Sequence, residues 1–372
     1  MVCAASVVLL PDEYVKKDDW MLVSEYLIRE DFVRRRAIMQ LGGTTMTQQS
    51  VATAPMSAAY EAAYTSVVRW DAASFGRVWL TGRDRATLLQ RLTTNDIERL
   101  QPGDGVRTIL INTHARILDV LTVYALPDAL LVTTGVGQGS TFARFLQGKI
   151  FFQDQVKVED RTDTTAHIAL YGPQAGKMIE QQTGLSIADW PVHHIAEAQL
   201  AGATVWVMRM LPLGGDGFGI IVQGDDRALV DVALADMTPL DQATLDVLRV
   251  EAGYGAARRE WSTEYIPLEA NLQDAISFTK GCYVGQEIIA RMDSRNRLAK
   301  RLMGLRVEGD VEPDTVLLAD GKDAGIVTSV VHSPRYGVIG LGFVRTAFAT
   351  AGQRLNLANG ARAEVIELPF GD

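Results

Sequence analysis

The sequence predicts an α+β protein that ends in a small β-barrel, and three observations carry that expectation. From Trp70 onward, β-rich runs come in pairs around polar turns, interrupted by a few short amphipathic helical stretches. After residue 300 only short β runs remain, separated by tight Asp-Gly and Asn-Gly turns. No period runs through the chain as a whole, which argues against a solenoid. The length of 372 residues suggests two or three domains with ample material for a core.

Taken in order, "GRVWLTGRD" (76–84) reads as a short strand ending in a turn. In "DRATLLQRL" (84–92), Ala86, Leu88, Leu89 and Leu92 form an apolar helical stripe, and Asp84 is placed to cap its start. "VRTILINTHARILDVLTVYAL" (106–126) gives two β-rich runs around a polar turn at Asn112 to Arg116, a hairpin pattern. A strand follows at "ALLVTTG" and a helix near "GSTFARFLQ". "VKVEDRTDTTAHIALYGPQA" supplies two more strands, and Gly172-Pro173 opens the next helix. Gly214, Gly217 and Gly219 in "MLPLGGDGFGIIVQ" resemble a phosphate-binding loop only superficially. Such a loop lies between a strand and a helix, whereas β-rich residues flank these glycines on both sides, so a hairpin turn is expected. "DQATLDVLRVEAGYG" (241–255) reads as a helix with Leu245, Leu248 and Ala252 on one face and Gly253 ending it.

Composition excludes several classes. The chain is 47% hydrophobic and 22% charged, ordinary for a globular protein. A formal charge of −9 argues against direct nucleic-acid binding. The apolar start "VCAASVVLLP" lacks a basic region and makes a poor signal peptide, and no run approaches a membrane span. Residues 1–55 read as a weakly ordered extension, with Met46 or Met56 as candidate true starts. Residues 56–300 form the main body and 301–372 the barrel domain. Two distant cysteines, Cys3 and Cys282, cannot build a disulfide framework or a metal site, so a reducing, cytoplasmic location is the default, with a monomer expected.

One segment invites chemistry. "FTKGCYVGQE" (278–287) sets Cys282 two residues after Lys280, between Gly281 and Tyr283, with Gly285, Gln286 and Glu287 following. The basic run "RMDSRNRLAKR" comes next, and positive neighbours lower a thiol's pKa and raise its thiolate fraction. The residues alone leave two readings open: a working thiol, or a small buried residue in a glycine-rich loop. The basic run is either a solvated face or a partner for carboxylates. Asp119 and Glu251 are candidates for acid/base work and equally for ordinary ion pairs. Arg209, a lone guanidinium on an apolar strand, wants a partner.

"KGCYVGQE" resembles the signature of the YgfZ group of folate-binding proteins, relatives of the glycine-cleavage aminomethyltransferase (T-protein). The resemblance runs from about residue 65 to 370. "VWLTGRDRATLLQRLTTNDIERLQPGDG" resembles the family's opening block, "LRVEAGYG" its central helix, and "IPLEANLQDAISFTKGCYVGQE" the block before the barrel. This implies a three-lobed ring around a pocket for tetrahydrofolate or a one-carbon derivative. The pocket residues it implies are Asp119, Tyr171, Arg209, Arg249 and Glu251. T-proteins carry two adjacent aspartates where this chain has Asp119 and Val120, a glutamate where it has Gly215, and an asparagine missing from "LLVTTG". Cys282, by contrast, is typical of the YgfZ branch. That branch is associated with iron–sulfur cluster assembly or repair in client enzymes, with effects on tRNA methylthiolation. The resemblance therefore implies an accessory protein acting through Cys282, with iron–sulfur client enzymes or assembly factors as partners. One cysteine is too few to scaffold a stable cluster. The alternative is a folate-dependent aminomethyltransferase using Asp119.

Overall fold

The computed structural model describes residues 57–295 and 298–371. The expected N-terminal extension and its candidate starts at Met46 and Met56 lie outside the described residues. Along the chain, α1 (Ala58–Thr65) leads into β1 (Val68–Asp71) and β2 (Phe75–Thr81). Helix α2 (Arg85–Leu92) precedes the hairpin β3 (Gly105–Ile111) and β4 (Ile117–Ala125), then β5 (Ala129–Val136) and α3 (Gly139–Gln147). Next come β6 (Lys157–Asp160), β7 (Thr165–Tyr171) and α4 (Ala175–Thr183). Strands β8 (Ile195–Leu200), β9 (Ala203–Leu213) and β10 (Gly215–Gln223) precede α5 (Arg227–Ala233), β11 (Thr238–Pro239) and α6 (Gln242–Glu251). Helix α7 (Gln286–Arg295) is followed by β12 (Lys300–Glu308), β13 (Val316–Ala319), β14 (Lys322–Ser333), β15 (Gly337–Arg345), β16 (Arg354–Leu357) and β17 (Arg362–Ile366).

These strands form two open sheets and a barrel. The first sheet is antiparallel throughout, in the order β3-β4-β5-β2-β6. Strand periodicity of two sends Val78, Leu80, Leu121 and Val123 to one face, where they bury Leu88, Leu89 and Leu92 of α2 and Phe142 and Leu146 of α3. The second sheet has the order β11-β1-β7-β10-β9-β8, with α4 and α5 packed through Ile179 and Val230 on Leu170, Val205 and Ile220. The remaining faces meet each other: Trp79, Tyr124 and Leu131 from the first sheet touch Met208 and Ile221 from the second.

Local chemistry explains the element ends. Ser57 accepts the Tyr60 N–H at 3.1 Å and starts α1, and Asp241 accepts the Thr244 N–H at 2.7 Å and starts α6. The capping expected of Asp84 does not occur: its carboxylate accepts the Gln155 N–H at 2.8 Å instead, tying α2 to the loop before β6. The glycine-rich stretch is the expected hairpin between β9 and β10. Gly214 turns it at φ +73°, and a Cβ there would meet the Ala63 carbonyl oxygen at 2.8 Å.

The last six strands close a barrel in the order β12-β15-β14-β13-β16-β17, sealed by β12 pairing with β17. Asp320 and Gly321 both have positive φ in the β13–β14 turn, the backbone a two-residue hairpin prefers. Glu251 joins this barrel to the rest. Its carboxylate accepts the hydroxyls of Tyr60 at 2.7 Å, Tyr64 at 2.5 Å and Ser333 at 2.5 Å, and its carbonyl accepts the Phe370 N–H at 2.8 Å. A buried acceptor thus gathers α1, α6, β14 and the chain end.

Candidate functional site

Between the two open sheets lies a cavity of about 430 Å³. That volume falls in the range of roughly 300–1,000 Å³ that small-molecule sites occupy. Its walls follow from strand alternation: Val120, Thr122 and Tyr124 on β4 face away from the α2–α3 core, and His167 and Tyr171 on β7 face away from the α4–α5 core. Met210 of β9, Arg249 of α6 and the loop from Tyr254 to Trp261 complete the lining.

This largely apolar space carries unmet polarity. Among the described residues, the buried side-chain atoms without a hydrogen-bond partner are Arg107 Nε, both ring nitrogens of His167, His193 Nδ1 and Trp261 Nε1. All four side chains line the cavity. Burial, reinforced by the charge of Arg77, pushes His167 down to about 3. Burial and the charge of Arg107 push His193 down to about 4. Both imidazoles are therefore neutral near pH 7, each offering one donor and one acceptor. A buried polar atom left unpaired costs about 1–3 kcal/mol, so this concentration in one cavity marks a place built to meet a ligand's polar groups. Sequence reasoning missed these residues. The only local signal was His167, set on the cavity-facing alternation of "TAHIALY".

Of the residues singled out from the sequence, Tyr171 and Arg249 line the cavity. Arg249 is held by Asp246 at 2.6 Å, by the Tyr254 carbonyl at 3.2 Å and by Ser329 at 3.1 Å, so it also anchors the barrel. Asp119 stands behind the wall. Both of its oxygens accept the Gly135 N–H, at 3.2 and 3.1 Å, just past the point where the β4–β5 ladder ends at Thr122 and Thr133. Burial outweighs these bonds and lifts its carboxyl to about 6. The next residue, Val120, is the one that faces the cavity. Arg209 lies elsewhere: it pairs with Asp216 at 3.0 Å and sits over the Phe218 ring at 5.6 Å, while its neighbours Met210 and Leu211 line the cavity. Glu251 is engaged in the junction with α1 and the barrel and does not line the cavity.

The "KGCYVGQE" loop forms a second place of interest, and none of its residues lines the cavity. Lys280 is buried, and its ammonium donates to the carbonyls of Gln90, Thr93 and Asn95, each at 2.7 Å. It thereby neutralises the carbonyl-rich end of α2, and burial pulls it down to about 8. The positive neighbour expected for the thiol is thus committed to α2. Arg291 is likewise engaged, with Glu287. Tyr283 is buried in the core. Gly285, at φ +79°, lets the loop press on the β3–β4 turn, where a Cβ would meet the Asn112 carbonyl oxygen at 2.9 Å. Gly281 meets no such constraint, and Gln286 begins α7. Between these anchors Cys282 is exposed. No group of three or more His, Cys, Asp or Glu among the described residues is placed to hold a metal.

Residues 12–280 match the GCVT N-terminal domain, and residues 300–372 match the glycine cleavage T-protein C-terminal barrel domain. The chain belongs to the glycine-cleavage T-protein family. Within that family, a chloroplastic protein of Arabidopsis thaliana, provisionally named a transferase, is 30% identical over 307 residues, 82% of this chain and 71% of that one. The aminomethyltransferase of Listeria welshimeri is 28% identical over 329 residues, covering 85% and 90%. The crystal structure of glycine cleavage system aminomethyltransferase T from Bartonella henselae shares the fold, with a TM-score of 0.75 at 22% identity over 90% of this chain and 96% of that one.

Proposed function

We propose that this protein binds tetrahydrofolate, or a one-carbon derivative of it, in the cavity between the two open sheets and assists iron–sulfur cluster assembly or repair in client enzymes through Cys282. The observation that carries the folate part is the coincidence of one largely apolar cavity with every buried unpaired side-chain atom found among the described residues. A folate fits this chemistry. Its flat rings suit the apolar walls of Tyr124, Tyr171 and Met210, while its heterocycle and carboxylates suit unpaired donors and acceptors. When bound, it would supply a one-carbon acceptor or donor; the residues here bind it, orient it and exclude water.

The thiol part rests on Cys282 standing exposed on a loop held from two sides, by Lys280 on α2 and by Gly285 on the β3–β4 turn. A sulfur presented this way is accessible to iron on a client. Val120 at the cavity wall, with Asp119 turned into the backbone of β5, supports a folate binder over a transferase. A second reading, a folate-dependent aminomethyltransferase, draws on the names of the relatives and on the near-neutral carboxyl of Asp119 close behind the wall.

The deciding experiment compares wild type and Cys282→Ala in cells lacking their own copy of such a protein, reading a [4Fe–4S] enzyme's activity and the abundance of each variant. Restoration by wild type and failure by the variant at equal abundance supports the accessory role. Restoration by both removes the thiol from the mechanism. Transfer to tetrahydrofolate from an aminomethylated lipoyl carrier moves the transferase reading forward.

A further inference from the structure

We infer that Arg107, His193 and Trp261 form an anion-reading end of the cavity, which holds the glutamyl carboxylate of the bound folate. This rests on the folate reading above and adds which residues recognise the ligand's tail. Three separate elements bring these side chains to one cavity: β3, the loop before β8 and the loop after α6.

Their unpaired atoms share one character. Arg107 Nε and Trp261 Nε1 can only donate, and a neutral His193 can place its proton on Nδ1. A cluster of donors calls for a group rich in acceptors, and a carboxylate offers two oxygens with about four acceptor sites. Arg107 is 8% exposed, and its Nη2 is already fixed by Asp274 at 2.5 Å, so the guanidinium is oriented with its Nε edge left over. Asp274 also balances the Arg107 charge, which leaves directed hydrogen bonds rather than net charge as the basis of selection.

His167 differs, because both of its ring nitrogens are unpaired, one donor and one acceptor. That mixed pattern suits the edge of a heterocycle rather than an anion. The two histidines are separated by β10 and β9: His167 pairs with Ile221 across to β10, and His193 donates to the Arg209 carbonyl at the far side of β9. Three strand spacings amount to about 14 Å, enough to separate the two ends of a long ligand. Arg107 and Trp261 also face a second cavity of about 310 Å³, lined beyond them by Asn271, Gln273, Arg301 and Glu367, so the tail end opens toward polar surroundings.

The test measures dissociation constants by calorimetry for tetrahydrofolate and for tetrahydropteroate, which has the same rings but no glutamate. Wild type should prefer tetrahydrofolate by about tenfold or more, the scale of charge-assisted hydrogen bonds in a buried site. In Arg107→Gln the preference should fall below about threefold, the loss falling on tetrahydrofolate. His193→Asn gives an independent reading, since asparagine tolerates the positive φ of 72° at this position. Thermal melts establish that each variant is folded. Equal affinity of wild type for both ligands overturns the inference while leaving the folate reading intact. A preference that survives in both folded variants places the tail elsewhere and also overturns it. Failure of wild type to bind either ligand removes the folate reading, and this inference with it.

Discussion

Replacing Asp119 by asparagine separates a buried structural carboxylate from a solvated or reacting one. Its oxygens accept the Gly135 N–H and, at 2.9 Å, the N–H of Val120, yet burial still raises the carboxyl from 3.8 to about 6. A carboxyl raised in this way binds more protons in the folded chain than in the unfolded one between these two values. Its contribution to stability is therefore fullest below pH 3.8 and is lost as pH rises through 6. The whole shift corresponds to about 3 kcal/mol, and the part falling between pH 5 and 7.5 to about 1.4 kcal/mol. Asparagine keeps the shape and one acceptor and does not titrate. Asp119→Asn should thus gain on wild type by about 1.4 kcal/mol between pH 5, where the folded carboxyl is mostly protonated, and pH 7.5. Urea denaturation of both proteins at half-unit pH steps gives the difference directly. A difference independent of pH, or one of opposite slope, would refute the reasoning and place the carboxylate in a solvated or charge-compensated setting.

Two further outcomes follow from the same kind of accounting. Glu251→Ala leaves the hydroxyls of Tyr60, Tyr64 and Ser333 without their shared acceptor and should cost about 3–5 kcal/mol in denaturant unfolding; a loss under about 1 kcal/mol would mean the junction relaxes around them. Lys280→Met strips three carbonyls at the end of α2 of their ammonium and should cost about 3 kcal/mol, whereas Cys282→Ala, two residues away and exposed, should change stability by less than about 0.5 kcal/mol. Equal effects of the two would contradict the division of labour within the loop.

The barrel was legible because its turns are local: Asp320-Gly321 and Asn359-Gly360 mark hairpins whatever surrounds them. The β9–β10 hairpin was legible for the same reason, from β-rich residues on both sides of Gly214. Asp84 was misjudged because its carboxylate went to Gln155, 71 positions away, a competition no local rule can see. The site divides along similar lines. Motif blocks located Tyr171, Arg209, Arg249 and Glu251 along the chain, but a block carries no information about which way a side chain points. Arg209 and Met210 are adjacent in β9, yet only the second lines the cavity, because Arg209 pairs with Asp216 over the Phe218 ring. Arg107, His193 and Trp261 share no spacing at all; tertiary structure alone assembles them.

The structure also constrains how a folate and the thiol could influence each other. Because no residue from 278 to 287 lines the cavity, a ligand there does not touch Cys282. The loop meets the cavity's frame through Gly285, pressed on Asn112 and Ala115 in the β3–β4 turn. That turn joins β3, which carries Arg107, to β4, which carries Val120, Thr122 and Tyr124. Lys280 adds a second link, holding the α2 end beside Thr94, whose hydroxyl receives the β3 amide of Ile109 at 3.0 Å. The strand that carries Arg107 thus meets one anchor of the thiol loop at its turn and the other through Thr94. The β3 strand and its turn thereby form a contiguous physical link between the cavity wall and the loop that carries Cys282.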